Sequence, residues 1–136
     1  AMIDHFKQNP ESHRIFSPEG VIDPEVVFAL NPKTDHAGWA TSLQIHSDGT
    51  SDFVRHRPDQ FRNSLRWICR SGDQKALGLL LPSTSEPSGY IAEREKRNYL
   101  QLSTGESMTF SYQCGALNPL ETELLIREIN SIKESK

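Results

Sequence analysis

Glu86 is the carboxylate whose sequence surroundings best suit proton transfer. It follows an apolar run from Ala76 to Leu81 and lies in a loop that is stiffened by Pro82 and Pro87. A loop of this kind can keep a carboxylate partly out of water, a setting typical of general bases. The alternative is an ordinary exposed loop carboxylate.

Two further groups contain histidine. Asp35 and His36 form an adjacent acid–imidazole pair in a polar loop before the first Trp. His56 alternates along a predicted strand and shares a face with Val54. His56 is therefore either a partly buried histidine bonded to a neighbour or a group that lines a binding face.

Basic residues are concentrated between Phe53 and Arg70, where five arginines accompany one acid, Asp59. The arginines are Arg55, Arg57, Arg62, Arg66 and Arg70. They form either a solvated strand face paired with acids elsewhere, or a pocket that uses one or two of them on a sugar hydroxyl, carboxylate or phosphate. A formal net charge of −3 and the lack of interleaved aromatics argue against nucleic acid as a partner.

The overall composition indicates one globular domain away from membranes. The chain has 136 residues, and no apolar run approaches the roughly 20 residues that a bilayer crossing needs. Cys69 and Cys114 are far apart and lack metal-ligand spacing, so we expect two reduced core thiols rather than a disulfide or a zinc site. With no apolar signal core at the start, a cytoplasmic location is expected.

Short segments with a period of two fill the middle of the chain and predict strands. Pro24 makes Val21 to Phe28 either an edge strand or two short pieces, whereas the apolar run from Ala76 to Leu81 is expected at the centre of a sheet. Asp48-Gly49 predicts a hairpin between a strand that begins at Trp39 and a return strand. The clearest alternation runs from Met108 to Cys114.

The chain therefore divides into an irregular N-terminal arm, residues 1–20, and an all-β sandwich domain, residues 21–136, with one C-terminal helix. Asn118, Pro119 and Glu121 form a helix-start pattern, which predicts a helix over residues 119–134. The predicted apolar stripe of this helix comprises Leu120, Leu124, Leu125, Ile129 and Ile132.

Two segments together resemble a known family. ALGLLLPSTSEPSGY, residues 76–90, is followed after a charged link by LQLSTGESMTF, residues 100–110. These segments resemble the C-terminal part of the galactose mutarotase (aldose 1-epimerase) superfamily, in which a loop glutamate is followed by an L-x-P-G-E strand. Leu102, Gly105 and Glu106 match that pattern, Thr104 replaces its proline, and Glu86 stands at the loop glutamate.

The resemblance spans roughly residues 22–117 and implies half of a β-supersandwich that binds a monosaccharide on a concave face. It implies that Glu86 takes the anomeric proton, with His36 as the partner imidazole, and that sugar anomers interconvert without a metal or cofactor. The residues expected to contact the sugar are Asp35, His56, Arg57 and Trp39. Trp67 is the alternative stacking residue, although its strand spacing is more typical of a core position.

Members of this family are about twice as long, and their ring-oxygen histidines lie in the half that this chain lacks. The chain is therefore either a fragment of a longer protein or a shortened relative, and a homodimer could replace the absent half. The alternatives to an epimerase are a non-catalytic β-sandwich that binds a carbohydrate or a protein, and a structural half of a larger assembly.

Overall fold

A computed structural model describes residues 2–15, 20–72 and 75–134. Its regular structure is mostly sheet, with two three-stranded antiparallel sheets and a C-terminal helix. The strands are β1 (Ile22–Leu30), β2 (Ala40–Ile45), β3 (Ser51–His56), β4 (Asn63–Arg70), β5 (Lys75–Ser83) and β6 (Tyr112–Leu117). The helices are α1 (Met2–Gln8), α2 (Tyr90–Lys96) and α3 (Pro119–Glu134), with a 3₁₀ turn at Pro10–His13.

Sheet A contains β1, β4 and β5, with β4 in the centre. The edge position expected for the strand that contains Pro24 is confirmed, because β1 pairs only with β4 among the described strands. The central position expected for the run from Ala76 to Leu81 is wrong, because β5 is the other edge of sheet A. β5 also contacts β2 and β3 of the other sheet. These additional contacts account for the apolar sequence of β5.

Sheet B contains the hairpin β2–β3, with β6 on the far side of β3. The predicted Asp48-Gly49 turn is confirmed. Asp48 Oδ1 accepts hydrogen bonds from the backbone N–H of Thr50 at 3.0 Å and from its hydroxyl at 2.6 Å. Gly49 has a φ of 84°, a conformation that a residue without a Cβ adopts readily.

Polar contacts join the two sheets. The backbone N–H of Leu80 in β5 donates to Ser42 Oγ in β2 at 3.3 Å. His56 Nε2 in β3 lies 2.9 Å from Ser64 Oγ in β4, and both side chains are buried. Sheet B is thereby fixed against the β4–β5 side of sheet A.

The other end of sheet A is covered by α1. Phe6 forms a buried cluster with Ile22, Val26 and Ile68, and its ring meets Phe28 edge-on with centroids 5.2 Å apart. The sequence predicts an irregular arm over residues 1–20, and the structure differs by placing α1 and a 3₁₀ turn within residues 2–15. The rest of the predicted arm at residues 1 and 16–19 lies outside the described residues. A seven-residue helix is too short to show a sustained apolar period, and burial of Phe6 against sheet A is a tertiary effect.

Helix α3 begins and ends where the sequence predicts, at residues 119 and 134. Asn118 Oδ1 accepts from the N–H of Glu121, and Glu121 Oε2 accepts from the N–H of Asn118, each at 3.0 Å. Thr122 is buried and its hydroxyl lies 2.8 Å from Ser51 Oγ in β3. Leu120 and Leu124 are exposed, contrary to the predicted stripe, because they lie on the side of the helix opposite Thr122.

Residues 90–111 differ most from expectation. The charged link contains α2, and among these residues no strand forms between α2 and β6. The alternating segment from Met108 becomes a strand only at Tyr112. Cys69 is buried as expected, whereas Cys114 is exposed because its face of the edge strand β6 is uncovered.

None of the helices in the described part of the chain combines the length and the apolar character that crossing a lipid bilayer demands.

Candidate functional site

Asp35 organises the loop that precedes β2. Its Oδ1 atom accepts hydrogen bonds from the backbone N–H groups of Ala37 and Trp39, each at 2.9 Å. The bond from Trp39 is the main reason that the pKa of Asp35 lies below its usual range, and bonds from Ala37 and Arg55 act in the same direction against the effect of burial. Asp35 is therefore an ionised group that fixes the position of Trp39.

Arg55 connects this loop to the helix behind it. Its Nη2 atom donates to Asp35 Oδ2 at 2.6 Å and lies 3.7 Å from Glu128 Oε1 in α3. The guanidinium carbon is also 6.0 Å from the centroid of the Trp39 ring. Arg55 therefore ties β3, the loop and α3 together, and its charge is balanced by two carboxylates.

Arg57 lies on the same face of the chain, two residues further on, and reaches the same indole. Its guanidinium carbon is 5.8 Å from the Trp39 centroid, and it forms two bonds of 3.2 Å to Asp59. A Cβ at Gly38, whose φ is 82°, would lie 3.4 Å from Arg57 Nη2, so the loop backbone passes close to the guanidinium. We refer to Asp35, Trp39, Arg55 and Arg57 as the Trp39 cluster.

A shallow cavity of about 330 Å³ adjoins the Trp39 cluster through Arg55. It lies between β3, β6 and α3. Its polar lining is Arg55, Gln113, Glu121 and Glu128, and its apolar lining is Phe53, Leu117, Leu124 and Leu125. The volume falls within the range of small-molecule sites, which is roughly 300–1,000 Å³. Guanidinium, amide and carboxylate groups beside an aromatic ring are suited to a polyhydroxylated ligand with one apolar face.

The two histidines predicted for the site lie in different environments. His36 is exposed in the loop of the Trp39 cluster, between Asp35 and Trp39. His56 faces away from the cluster, because successive strand residues point to opposite faces, and it is buried against Ser64. Burial lowers the pKa of His56, so it is a neutral hydrogen-bonding group between the sheets.

Glu86 lies in a second polar group, which we call the Glu86 cluster. Lys96 Nζ donates to Glu86 Oε2 at 2.8 Å, to Ser88 Oγ at 2.9 Å and to Glu93 Oε1 at 3.3 Å. The Glu86 side chain is 36% exposed. Glu86 is therefore a half-exposed, ion-paired carboxylate.

Glu93 fixes the backbone of that loop from α2. Its buried carboxylate accepts the N–H of Glu86 at 3.0 Å and the side-chain amide of Asn98 at 2.7 Å. Burial raises the pKa of Glu93, but the bonds from Glu86, Lys96 and Asn98 together keep it below its usual range. Glu93 is thus an ionised anchor beneath Glu86.

Among the described residues, no hydrogen bond or ion pair joins the Glu86 cluster to the Trp39 cluster. The structure brings Asp35, His36, Trp39 and Arg57 into one region, and places His56 and Glu86 elsewhere. Trp67 lies on sheet A, where its indole N–H donates to Glu25 at 2.6 Å.

Sequence reasoning missed the groups that support the predicted residues. Arg55 shares the strand face of Arg57, and this alternation alone could have placed it beside Trp39. Glu93 and Lys96 are three residues apart, a spacing that lets them pair on one side of a helix. In the sequence they lie within a run of charged residues, where this spacing does not stand out. The contribution of Glu128 depends on how α3 packs, and no local pattern indicates it.

Within residues 2–15, 20–72 and 75–134, no group of three or more His, Cys, Asp or Glu side chains could hold a metal ion. Comparison of the chain with family models, with curated proteins and with solved structures gives no match.

Proposed function

We propose that the two sheets form a β-sandwich of the aldose 1-epimerase type and that it binds a monosaccharide at the Trp39 cluster and the adjoining cavity. The sandwich is supported by the contacts of β5 with β2 and β3 and by the pairs Leu80–Ser42 and His56–Ser64. The choice of a monosaccharide as the ligand follows the resemblance of residues 76–90 and 100–110 to that superfamily.

One observation carries the binding proposal: an indole with two guanidinium groups and an ionised carboxylate adjoins a small cavity. A pyranose presents an apolar face to an aromatic ring and hydroxyls around its rim. Arg57 is one-third exposed and can donate to hydroxyls, while Glu128 and His36 at the surface can accept. Asp35 acts indirectly by holding Trp39 and Arg55.

A second candidate function is epimerisation at C1, with Glu86 as the general base. It is favoured by the Glu86–Lys96 ion pair, which holds the carboxylate in one position, and by Glu93, which accepts the N–H of Glu86 and fixes the loop backbone. Glu86 lies outside the Trp39 cluster, and a general base must lie within hydrogen-bond reach of the proton that it takes. Epimerisation therefore requires a sugar bound at the Glu86 cluster, and it needs variants of its own.

NMR of glucose and galactose tests both claims in one sample. Saturation transfer reports sugar binding, and exchange spectroscopy reports anomer interconversion. We expect Trp39→Ala and Arg57→Gln to weaken binding by about tenfold, while Arg62→Gln, an exposed arginine outside the cluster, leaves it unchanged. Equal binding by Trp39→Ala and the unaltered chain would reject the site.

For epimerisation, Glu86→Gln is expected to slow anomer exchange by about a hundredfold or more, the usual contribution of general base catalysis. The matched control is Glu95→Gln, an exposed glutamate of α2. If the protein binds the sugar but does not accelerate anomer exchange, the binding function is retained and the epimerase function is rejected.

A further inference from the structure

The face of sheet B that lies against α3 carries a row of side chains that extends beyond the Trp39 cluster. Phe53, Arg55 and Arg57 alternate along β3 and therefore point to the same face, and we call them the β3 row. Trp39 lies beside Arg55 and Arg57, so Phe53 is the end of the row that is remote from the indole. Phe53 and Arg57 are about 13 Å apart along the strand, which is longer than one pyranose ring.

The cavity of about 330 Å³ follows only one end of the β3 row. Phe53 and Arg55 line it, whereas neither Trp39 nor Arg57 is among the described residues in its lining. Arg55 belongs both to the Trp39 cluster and to the cavity. A pyranose stacked on Trp39 would therefore reach Arg55 and leave the Phe53 end of the cavity unfilled.

Gly115 in β6 gives the Phe53 ring its place in the cavity wall. Gly115 is the cross-strand partner of Phe53, and a Cβ at Gly115 would lie 3.0 Å from Cε1 of the ring. The ring therefore lies close against the backbone of β6. Leu117 and Leu124 line the same cavity. An aromatic ring beside aliphatic side chains can receive the apolar face of a sugar, as proposed for the Trp39 indole at the other end.

Polar groups with free hydrogen-bonding capacity lie between the two aromatic rings. Arg55 Nη2 donates to Asp35, but Arg55 Nη1 makes no hydrogen bond within the described part of the chain, and this side chain is 25% exposed. Gln113, the cross-strand partner of Arg55, is exposed, and Glu128 is 47% exposed. Arg55 and Gln113 can donate, while Gln113 and Glu128 can accept. Sugar hydroxyls do both, so these groups suit the hydroxyls on either side of a glycosidic bond.

We infer that the ligand of this site is an oligosaccharide of at least two sugar units, with one unit stacked on Trp39 and the next in the cavity against Phe53. The inference rests on the proposed sugar-binding function and extends its ligand from a single sugar to a short chain. Arg55 lies between the two units and donates to their hydroxyls. Because the units are covalently joined, the contacts of the second unit add to those of the first, and a disaccharide binds more tightly than a monosaccharide.

Isothermal titration tests this length by comparing glucose and galactose with the disaccharides maltose, cellobiose and lactose. We expect at least one disaccharide to bind about tenfold more tightly than either monosaccharide. If a monosaccharide binds and no disaccharide gains affinity, the two-unit site is overturned while the proposed monosaccharide function stands. If none of these sugars binds, both are overturned.

Variants locate the second unit. Phe53→Leu removes the ring and keeps an apolar side chain, so we expect it to lower disaccharide affinity about tenfold and to leave monosaccharide affinity unchanged. Unchanged monosaccharide binding also shows that this variant is folded. Trp39→Ala should weaken both kinds of sugar, because both place a unit on the indole. Disaccharide binding by Phe53→Leu that equals that of the unaltered chain would contradict the assignment.

A matched pair of exposed leucines on α3 provides a second test that leaves the interior of the protein unchanged. Leu124→Ala alters the cavity wall and should lower disaccharide affinity severalfold. Leu120→Ala, one turn earlier in the helix and outside the cavity lining, should have no effect. Equal disaccharide affinities of these two variants would overturn the placement of the second unit in the cavity.

Discussion

His56 shows how the sequence can place a single residue on the correct face of a strand and still leave its surroundings open. Its alternation with Arg55 and Arg57 predicts the two faces of β3 correctly, and its partner Ser64 is a residue of the other sheet. The sequence left open whether His56 is buried or lines a binding face, and the structure shows 1% exposure. The burial of His56 depends on the packing of β3 against the other sheet, and no local pattern in the sequence indicates that contact.

The burial of His56 makes stability depend on pH. Its pKa is lowered from the ordinary value of 6.5 in the folded chain, so the unfolded chain takes up this proton first as the pH falls. We expect the free energy of unfolding to decrease below pH 6.5 by at most about 1.4 kcal/mol per pH unit from this group. Urea unfolding at pH 7.5 and 5.5 measures the difference.

His56→Gln should retain a hydrogen bond to Ser64 and reduce that pH dependence, whereas His36→Gln, at an exposed position, should not. An unchanged pH dependence in His56→Gln would show that other groups are responsible.

At the scale of elements, sequence patterns correctly predict the turns and helix ends that are fixed by hydrogen bonds between residues close in the sequence. The Asp48-Gly49 hairpin and the start of α3 are set by side chains within three residues, and both appear as predicted. Two predictions are wrong: the central position of β5 and the irregular arm in place of α1. Both features depend on residues that are far apart in the sequence. The neighbours of β5 and the contacts of Phe6 come from distant parts of the chain.

The capping residue of α3 is the element-scale test. Asn118→Ala removes the acceptor for the N–H of Glu121, and we expect it to lower the free energy of unfolding by about 1 kcal/mol. Asn130→Ala, an exposed change within the same helix, is the control and should have a much smaller effect. Urea unfolding that gives equal losses for both variants would contradict a capping role.

At the scale of the whole molecule, sheet A carries exposed apolar side chains on the face of Trp67, at its two edge strands. Val27 pairs with Trp67 there, and Val27 and Leu81 are 39% and 48% exposed. The homodimer expected from the sequence would cover such a face, and it stays a prediction. The candidate sugar site is independent of this face, because the Trp39 cluster joins a loop to β3 in sheet B and contacts α3 through Glu128.

The whole-molecule arrangement also explains which parts of the site could be predicted. Asp35, Trp39 and Arg57 belong to one hairpin and its preceding loop, so their proximity follows from local chain geometry. Glu86 would join these residues only if the loop after β5 folded towards β2 and β3. Lys96 and Glu93 instead hold Glu86 in the Glu86 cluster. No local sequence pattern indicates which of these two positions Glu86 takes.

The central claim is that a monosaccharide occupies the Trp39 cluster, and amide chemical-shift mapping with ¹⁵N-labelled chain tests it most directly. Titration with glucose or galactose should shift the amides of residues 35–39 and 55–57 first, together with the Trp39 indole N–H. Shifts confined to residues 86–98 or to sheet A, or no shifts at saturating sugar, would contradict the account.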